Sequence, residues 1–168
     1  MIRSLFTAIT LLFVVAVLTP VFSQSLGLGA AYAPIGGEGF SMRVHLDEKV
    51  GLQCGAIVYK NDSETYLSGG VEAIYYLPRK LNTRFYFPVG FGITYHERDD
   101  GYHTTENGQY RYVERSIITR EYAYGLGFGL SRRSYAESDI WIFTDVIMMA
   151  RGDYIGPHLQ FGIHYYIR

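Results

Sequence analysis

Histidines, one cysteine and scattered serines are the side chains here with intrinsic nucleophilic or metal-binding chemistry. A base and a nucleophile two residues apart on a strand share one face and can meet. His45 is followed at that spacing by Asp47, His158 by Gln160 and His164 by Tyr166. No serine stands there, so an acyl hydrolase is not expected, nor is any catalytic residue. His96, Glu97, Asp99, Asp100 and His103 gather in one polar stretch with donors that a divalent ion accepts. The same residues read equally as a solvated charged loop, and neither metal nor cofactor is expected. Cys54 is alone, cannot close an internal disulfide, and serves as a small apolar filler. Arg151-Gly152-Asp153 spells an integrin-binding tripeptide, but Gly-Asp is just as well a tight turn. What remains is a set of polar and ionic residues on the minor faces of alternating segments: Arg43, His45, Glu72, Arg84, Glu121, Asp145, His158 and His164. Ions enclosed together must pair to be tolerated. These eight are expected to form a polar network in whatever space the segments surround, either plugging it or lining a narrow path for a small solute or ion.

The elements that would position them begin after a leader. Arg3 precedes an apolar run from Leu5 to Leu18, Thr19-Pro20 breaks it, and Val21-Phe22-Ser23 offers a cleavage site before Gln24. Residues 1–23 read as a secretory signal peptide and 24–168 as one domain. Beyond the leader, no apolar stretch is long enough for a helical span. Alternation recurs instead, in eight segments: Leu26–Ala33, Gly39–Leu46, Val50–Lys60, Thr65–Leu77, Arg84–His96, Ile117–Leu130, Asp139–Ala150 and Tyr154–Ile167. The fifth is clearest. Phe85, Phe87, Val89, Phe91, Ile93 and Tyr95 line one face, and Arg84, Tyr86, Pro88, Gly90, Gly92 and Thr94 the other. Between the fifth and sixth lies a polar connection, about Glu97 to Arg115, in which Asn107-Gly108 signals a hairpin finger.

The minor faces decide which side meets water. They hold Gly, Gln, His, Arg, Glu and Asp, and from Ala123 to Gly129 only Ala and Gly. A water-facing surface would be richer in Lys, Glu and Thr, whereas small residues suit the crowded inside of a narrow barrel. Aromatics make up 16% of the chain, with 16 Tyr. Tyr75, Phe85, Phe128 and Tyr165 fall near one rim, and Tyr32, Phe40, Tyr66, Tyr95 and Tyr122 near the other, as two bilayer interfaces would select. The predicted fold is therefore all-β: a single up-and-down antiparallel transmembrane β-barrel of about eight strands, with apolar faces to lipid. Fifteen Lys+Arg, one of them Arg3, stand against 16 Asp+Glu, so nucleic acid is not an expected partner.

The order of these motifs resembles the small eight-stranded outer-membrane barrels of the OmpA/OmpX-like group. The resemblance runs from Gln24 to Arg168. It rests on the leader, on Phe87-Pro88-Val89-Gly90-Phe91-Gly92-Ile93-Thr94-Tyr95, on Tyr124-Gly125-Leu126-Gly127-Phe128-Gly129, and on the closing strand. It implies a bacterial outer-membrane location and contact with outer-membrane lipid. It also implies handling by the barrel-assembly machinery, although the chain closes on Ile167-Arg168 where the family pattern has an aromatic. With both termini periplasmic, connections near 34–38, 61–64, 97–116 and 150–153 would face outward and those near 47–49, 78–83 and 131–138 inward. The expected function is non-enzymatic, in membrane integrity or in surface interaction through external loops whose partner the residues do not name. A narrow or gated porin-like channel and a soluble lipocalin-like lipid carrier are the alternatives.

Overall fold

The computed structural model describes residues 25–78, 82–106, 109–134 and 139–167, so the leader expected over 1–23 lies outside the described residues. Eight strands follow one another around a closed antiparallel barrel. They are β1 (Ser25–Tyr32), β2 (Gly39–His45), β3 (Val50–Lys60), β4 (Glu64–Tyr76), β5 (Thr83–Glu106), β6 (Gln109–Arg133), β7 (Ile140–Arg151) and β8 (Tyr154–Ile167). Each pairs with the next, and β1 closes on β8 through Leu26↔Ile167 to Tyr32↔Phe161. This is the predicted meander. β3 and β8 keep the predicted bounds, and β1, β2, β4 and β7 shift by only a residue or so.

Alternation sets the facing, because successive side chains on a strand point to opposite sides. On β7, Ile142, Val146 and Met148 point outward and are at least half exposed, while Trp141, Phe143, Asp145, Ile147 and Met149 point inward and are buried. The same division runs round the barrel. Outward lie Leu52, Val71, Val89, Phe91, Leu126, Leu159 and Phe161; inward lie Arg43, Gln53, Glu72, Gln160 and His164, each buried almost completely. The polarity is thus inside-out relative to a water-soluble protein. Outward aromatics gather toward the two ends. Phe128 packs against Phe85 and Phe87 with ring centroids 5.7 and 5.6 Å apart near the end that carries the termini. Tyr32 packs on Phe161 at 5.5 Å toward the other end. Tyr66 departs from its predicted girdle: it occupies an inward position on β4, and its hydroxyl donates to Glu38 at 2.8 Å.

The polar connection expected to form a hairpin finger is a long extension of β5 and β6. β5 and β6 stay paired from Thr83↔Arg132 out to Glu106↔Gln109. β4 leaves β5 at Arg98, and β7 leaves β6 at Ala123. Beyond those points the two strands continue alone as a two-stranded finger, about 25 Å long at the usual rise per residue. Asn107 and Gly108, expected at its tip, lie outside the described residues.

The β1–β2 connection was expected at the surface. It is instead folded into the barrel: Ala33, Pro34, Ile35, Gly36 and Gly37 are all buried. The inner wall makes room by lacking side chains. A Cβ on Gly92 would lie 1.9 Å from the Pro34 carbonyl oxygen, and one on Gly70 would lie 2.5 Å from that of Ile35. Gly37 turns with φ +89°, a conformation L side chains resist, and sits directly against the Gly55 backbone. Ile35 carries the turn's apolar contact, in a cluster with Ala123, Ile147 and Met149.

Candidate functional site in the barrel interior

The interior divides into a packed polar centre and two ends, or mouths. Arg43 lies at the centre. Its Nε donates to Gln53 Oε1 at 2.7 Å, and its guanidinium sits 4.2 Å from the Phe143 ring centroid and 5.1 Å from that of Tyr86. Tyr76, Tyr166 and Asp145 complete its surroundings. The Tyr86 hydroxyl donates to Asp145 Oδ1. Glu72 faces the same space from β4, directly beneath Gly36 of the inward turn and beside Gln53. Asp145 Oδ2, Arg43 Nη2 and Gln53 Nε2 are buried with no hydrogen-bond partner among the described residues, and Glu72 faces Gln160. Buried polar atoms without protein partners cost about 1–3 kcal/mol each unless water satisfies them.

β1 explains how side chains from β2 and β8 meet although β1 lies between them. Its inner face is Gly27, Gly29 and Ala31. The Tyr166 ring lies over Gly27, 2.9 Å from where a Cβ would be. Across this bare strand Ser41 Oγ reaches His164 Nε2 at 2.9 Å, and the His164 ring stacks on Phe143 at 5.1 Å. A serine beside an imidazole is the start of a nucleophile–base pair. Ser41 and His164 are both almost wholly buried.

At the mouth nearer the termini, Arg84 Nη1 meets His45 Nε2 at 2.5 Å. The Arg84 guanidinium also lies 5.0 Å from the Trp141 ring and 5.6 Å from the Tyr76 ring. His45 stacks on Tyr76 at 4.9 Å and tilts against Tyr166 at 5.1 Å. Rings and guanidinium interlock here, each touching two or more others. At the finger end the contacts are ion pairs on the rim: Arg151 with Glu121 at 2.5 Å and His96 with Glu64 at 2.6 Å.

Of the eight residues singled out from sequence, Arg43, Glu72, Asp145 and His164 line the enclosed interior. His45 and Arg84 share the terminal mouth, and Glu121 belongs to the finger-end rim. His158 is half-buried, its ring 5.8 Å from that of Tyr32. Among the described residues, the contacts above join them in groups at the centre and at the two ends. Gln53, Tyr86, Gln160 and Ser41 share the interior with the charged residues and sit on the same inward alternation. A search restricted to ions and histidines passes over such amides and hydroxyls.

The other motifs resolve locally. Arg151 turns back onto Glu121, and Gly152-Asp153 makes the tight β7–β8 turn, so the tripeptide is not presented as a free loop. No group of three or more His, Cys, Asp or Glu side chains is placed to hold a metal ion among the described residues. No helix among them is long and apolar enough to cross a membrane, which says nothing of crossing by strands.

No protein-family profile matches the chain, and no curated protein matches it by sequence. Among solved structures it is similar to the N-terminal β-barrel domain of Pseudomonas aeruginosa OprF, with 13% identity over 86% of this chain and 98% of that one, and a TM-score of 0.54. Ail, the attachment invasion locus protein of Yersinia pestis, aligns over 85% of this chain and 95% of its own at 14% identity, with a TM-score of 0.41. At such identities the likeness concerns architecture. The inside-out polarity, the closed eight-strand meander and the OprF match agree: the chain has the fold of the small outer-membrane β-barrels.

Proposed function

We propose that this chain is a non-enzymatic barrel of the bacterial outer membrane, with its termini in the periplasm and its β5–β6 finger outside. It maintains the membrane and meets other molecules through that finger. The observation that carries the reading is the exposed apolar belt. Val89, Phe91, Leu126, Leu159 and Phe161 present about half or more of their surface to the exterior, while charged side chains are buried within. Such a belt in water is an aggregation surface; in hydrocarbon it is the solvated state. The closed ladder leaves no unpaired strand edge at membrane depth. A lipocalin-like carrier needs an apolar calyx, and the interior is occupied by Arg43, Glu72, Asp145 and the inward turn. The orientation is supported by the signal-like leader and by the finger's position at the end opposite the termini. Its expected partners are outer-membrane lipid along the belt and, during biogenesis, the barrel-assembly machinery.

Refolding and protease protection test this together. The mature chain should fold only with detergent or lipid and should migrate faster on gels unheated than boiled. Trypsin added to intact cells should cut the finger, where Arg111 and Arg115 lie. Cleavage after Lys49, in the β2–β3 turn, should require permeabilised cells. A folded, monomeric chain in plain buffer would overturn the membrane reading. Cleavage at Lys49 on intact cells would reverse the orientation.

A further inference from the structure

We propose that the outer rim at the terminal end of the barrel seats an anionic phospholipid, and that Arg132 holds its headgroup phosphodiester. The inference rests on the membrane reading above and names a lipid class for it. The outward phase of β6 runs Leu126, Phe128, Leu130 and then Arg132. The first three belong to the apolar belt, and Arg132 stands one outward step beyond it, exposed. Its neighbours in register are Thr83 on β5 and Ile142 on β7, and Ile142 is itself half exposed. Among the described residues Arg132 has no hydrogen bond or ion pair. A guanidinium has five donors and keeps its charge. At the edge of a hydrocarbon slab its stem lies along apolar neighbours while its head reaches the headgroup layer. The two non-bridging oxygens of a phosphodiester match its fork.

The other described cations at this end are already engaged. Arg84 turns inward onto His45 and the rings of Trp141 and Tyr76. Arg133, on the inward phase, pairs with Asp139 at 3.2 Å. Lys49 sits in a turn beside Asp47 and Glu48, and the Asp47 carboxylate accepts the Lys49 and Val50 amides. The charge of Arg132 is thus left for the lipid. The occupant is amphipathic, because Leu130, Phe128 and Ile142 lie beside the guanidinium and suit an acyl chain. It is anionic, because a zwitterionic headgroup brings its own ammonium, and Asp139, which would receive it, is spent on Arg133. The finger end is built the opposite way. There Arg120 lies over the Tyr95 ring at 5.8 Å, and Glu97 and Asp99 occupy the next outward positions on β5. An anionic headgroup at that rim meets carboxylates.

Urea unfolding tests this with the mature chain refolded in vesicles of phosphatidylcholine alone, or with phosphatidylglycerol of the same acyl chains admixed, in phosphate-free buffer. Trp141 fluorescence follows unfolding, and insertion is checked separately by heat-modifiable migration. Phosphatidylglycerol should raise the folding equilibrium constant of wild type about fivefold, the worth of one cation at an anionic surface. Arg132→Gln should lose that gain, whereas Arg120→Gln at the finger end should keep it. Arg132→Lys, with the charge but not the fork, should fall between wild type and Arg132→Gln. Inserted wild type that is equally stable in both lipids overturns the proposal and leaves the membrane reading intact. So does a gain that survives in Arg132→Gln. Inorganic phosphate that reproduces the gain in phosphatidylcholine alone would make the site one for a free anion and overturn the lipid assignment. A chain that inserts in neither vesicle overturns the membrane reading itself.

Discussion

Replacing Arg43 with methionine should destabilise the folded barrel by about 3–5 kcal/mol, the cost of leaving buried charge uncompensated. Methionine keeps much of the volume and the contact with Phe143, so a cavity is not the cause. What changes is the charge balance of an enclosed space. Among the described residues Arg43 is the cation in the fully buried set, and Glu72 and Asp145 face it from β4 and β7. Without it the Glu72–Asp145 pair loses its counter-charge, and Gln53 Oε1 loses its donor. Among the described residues Asp145 would keep the Tyr86 hydroxyl. The single tryptophan, Trp141, is buried beside Arg84 at the terminal mouth and reports unfolding by fluorescence. Urea titration in lipid vesicles should show a lower midpoint with an unchanged slope. Combining Arg43→Met with Glu72→Gln and Asp145→Asn should return stability to within about 1–2 kcal/mol of wild type, because an uncharged interior needs no counter-ion. Equal stability of the single and triple variants would show that the three groups are not electrostatically coupled.

The barrel itself was legible in the sequence because its signal is local and redundant. Each strand repeats apolar-out, small-or-polar-in, and Phe85 to Tyr95 alone fixes a facing. What could not be read is what depends on distant parts of the chain meeting. The turn at Pro34-Ile35-Gly36-Gly37 has the composition of any surface turn. Its burial follows from glycines on three other strands, Gly55, Gly70 and Gly92, whose shared purpose appears only when β3, β4 and β5 stand side by side. The Ser41–His164 bond joins residues on strands that are not neighbours and exists because β1 between them is bare on its inner face. The finger was legible through Asn107-Gly108 rather than through alternation, and its extent was not, because the stretch from Glu97 to Arg115 reads as polar in sequence although the pairing is regular out to Glu106. Tyr66 was misplaced by composition, since tyrosine at a barrel rim suits either the lipid boundary or the lumen. Only the even phase of β4, shared with Glu72, Ile74 and Tyr76, puts it inside.

Val89→Arg and Phe91→Arg should each cost about 2–4 kcal/mol of folding free energy in lipid vesicles, or block folding altogether. The two readings of an exposed apolar residue part company here. On a water-soluble protein, a half-exposed valine replaced by arginine usually changes stability by less than about 0.5 kcal/mol. Val89 and Phe91 are 57% and 49% exposed, so a solvent-facing account predicts almost no effect. In a bilayer the same exposure means contact with hydrocarbon, and the guanidinium has nothing to pair with. Register strengthens the expectation. Val89 lies beside Ala73 and Leu126, and Leu126 beside Met148, so the neighbours reached along the sheet are apolar too. Phe91 is flanked by Val71 and Tyr124, and the nearest polar rim contact on β5 is the Tyr95–Glu97 bond. Arginine at Tyr95 should be tolerated far better, because depth sets the cost and a long side chain at the rim can reach water. The decisive result is therefore a gradient. Penalties that rise from Tyr95 to Phe91 and Val89 follow from an apolar slab around the barrel, and equal, small penalties at all three positions would place these faces in water.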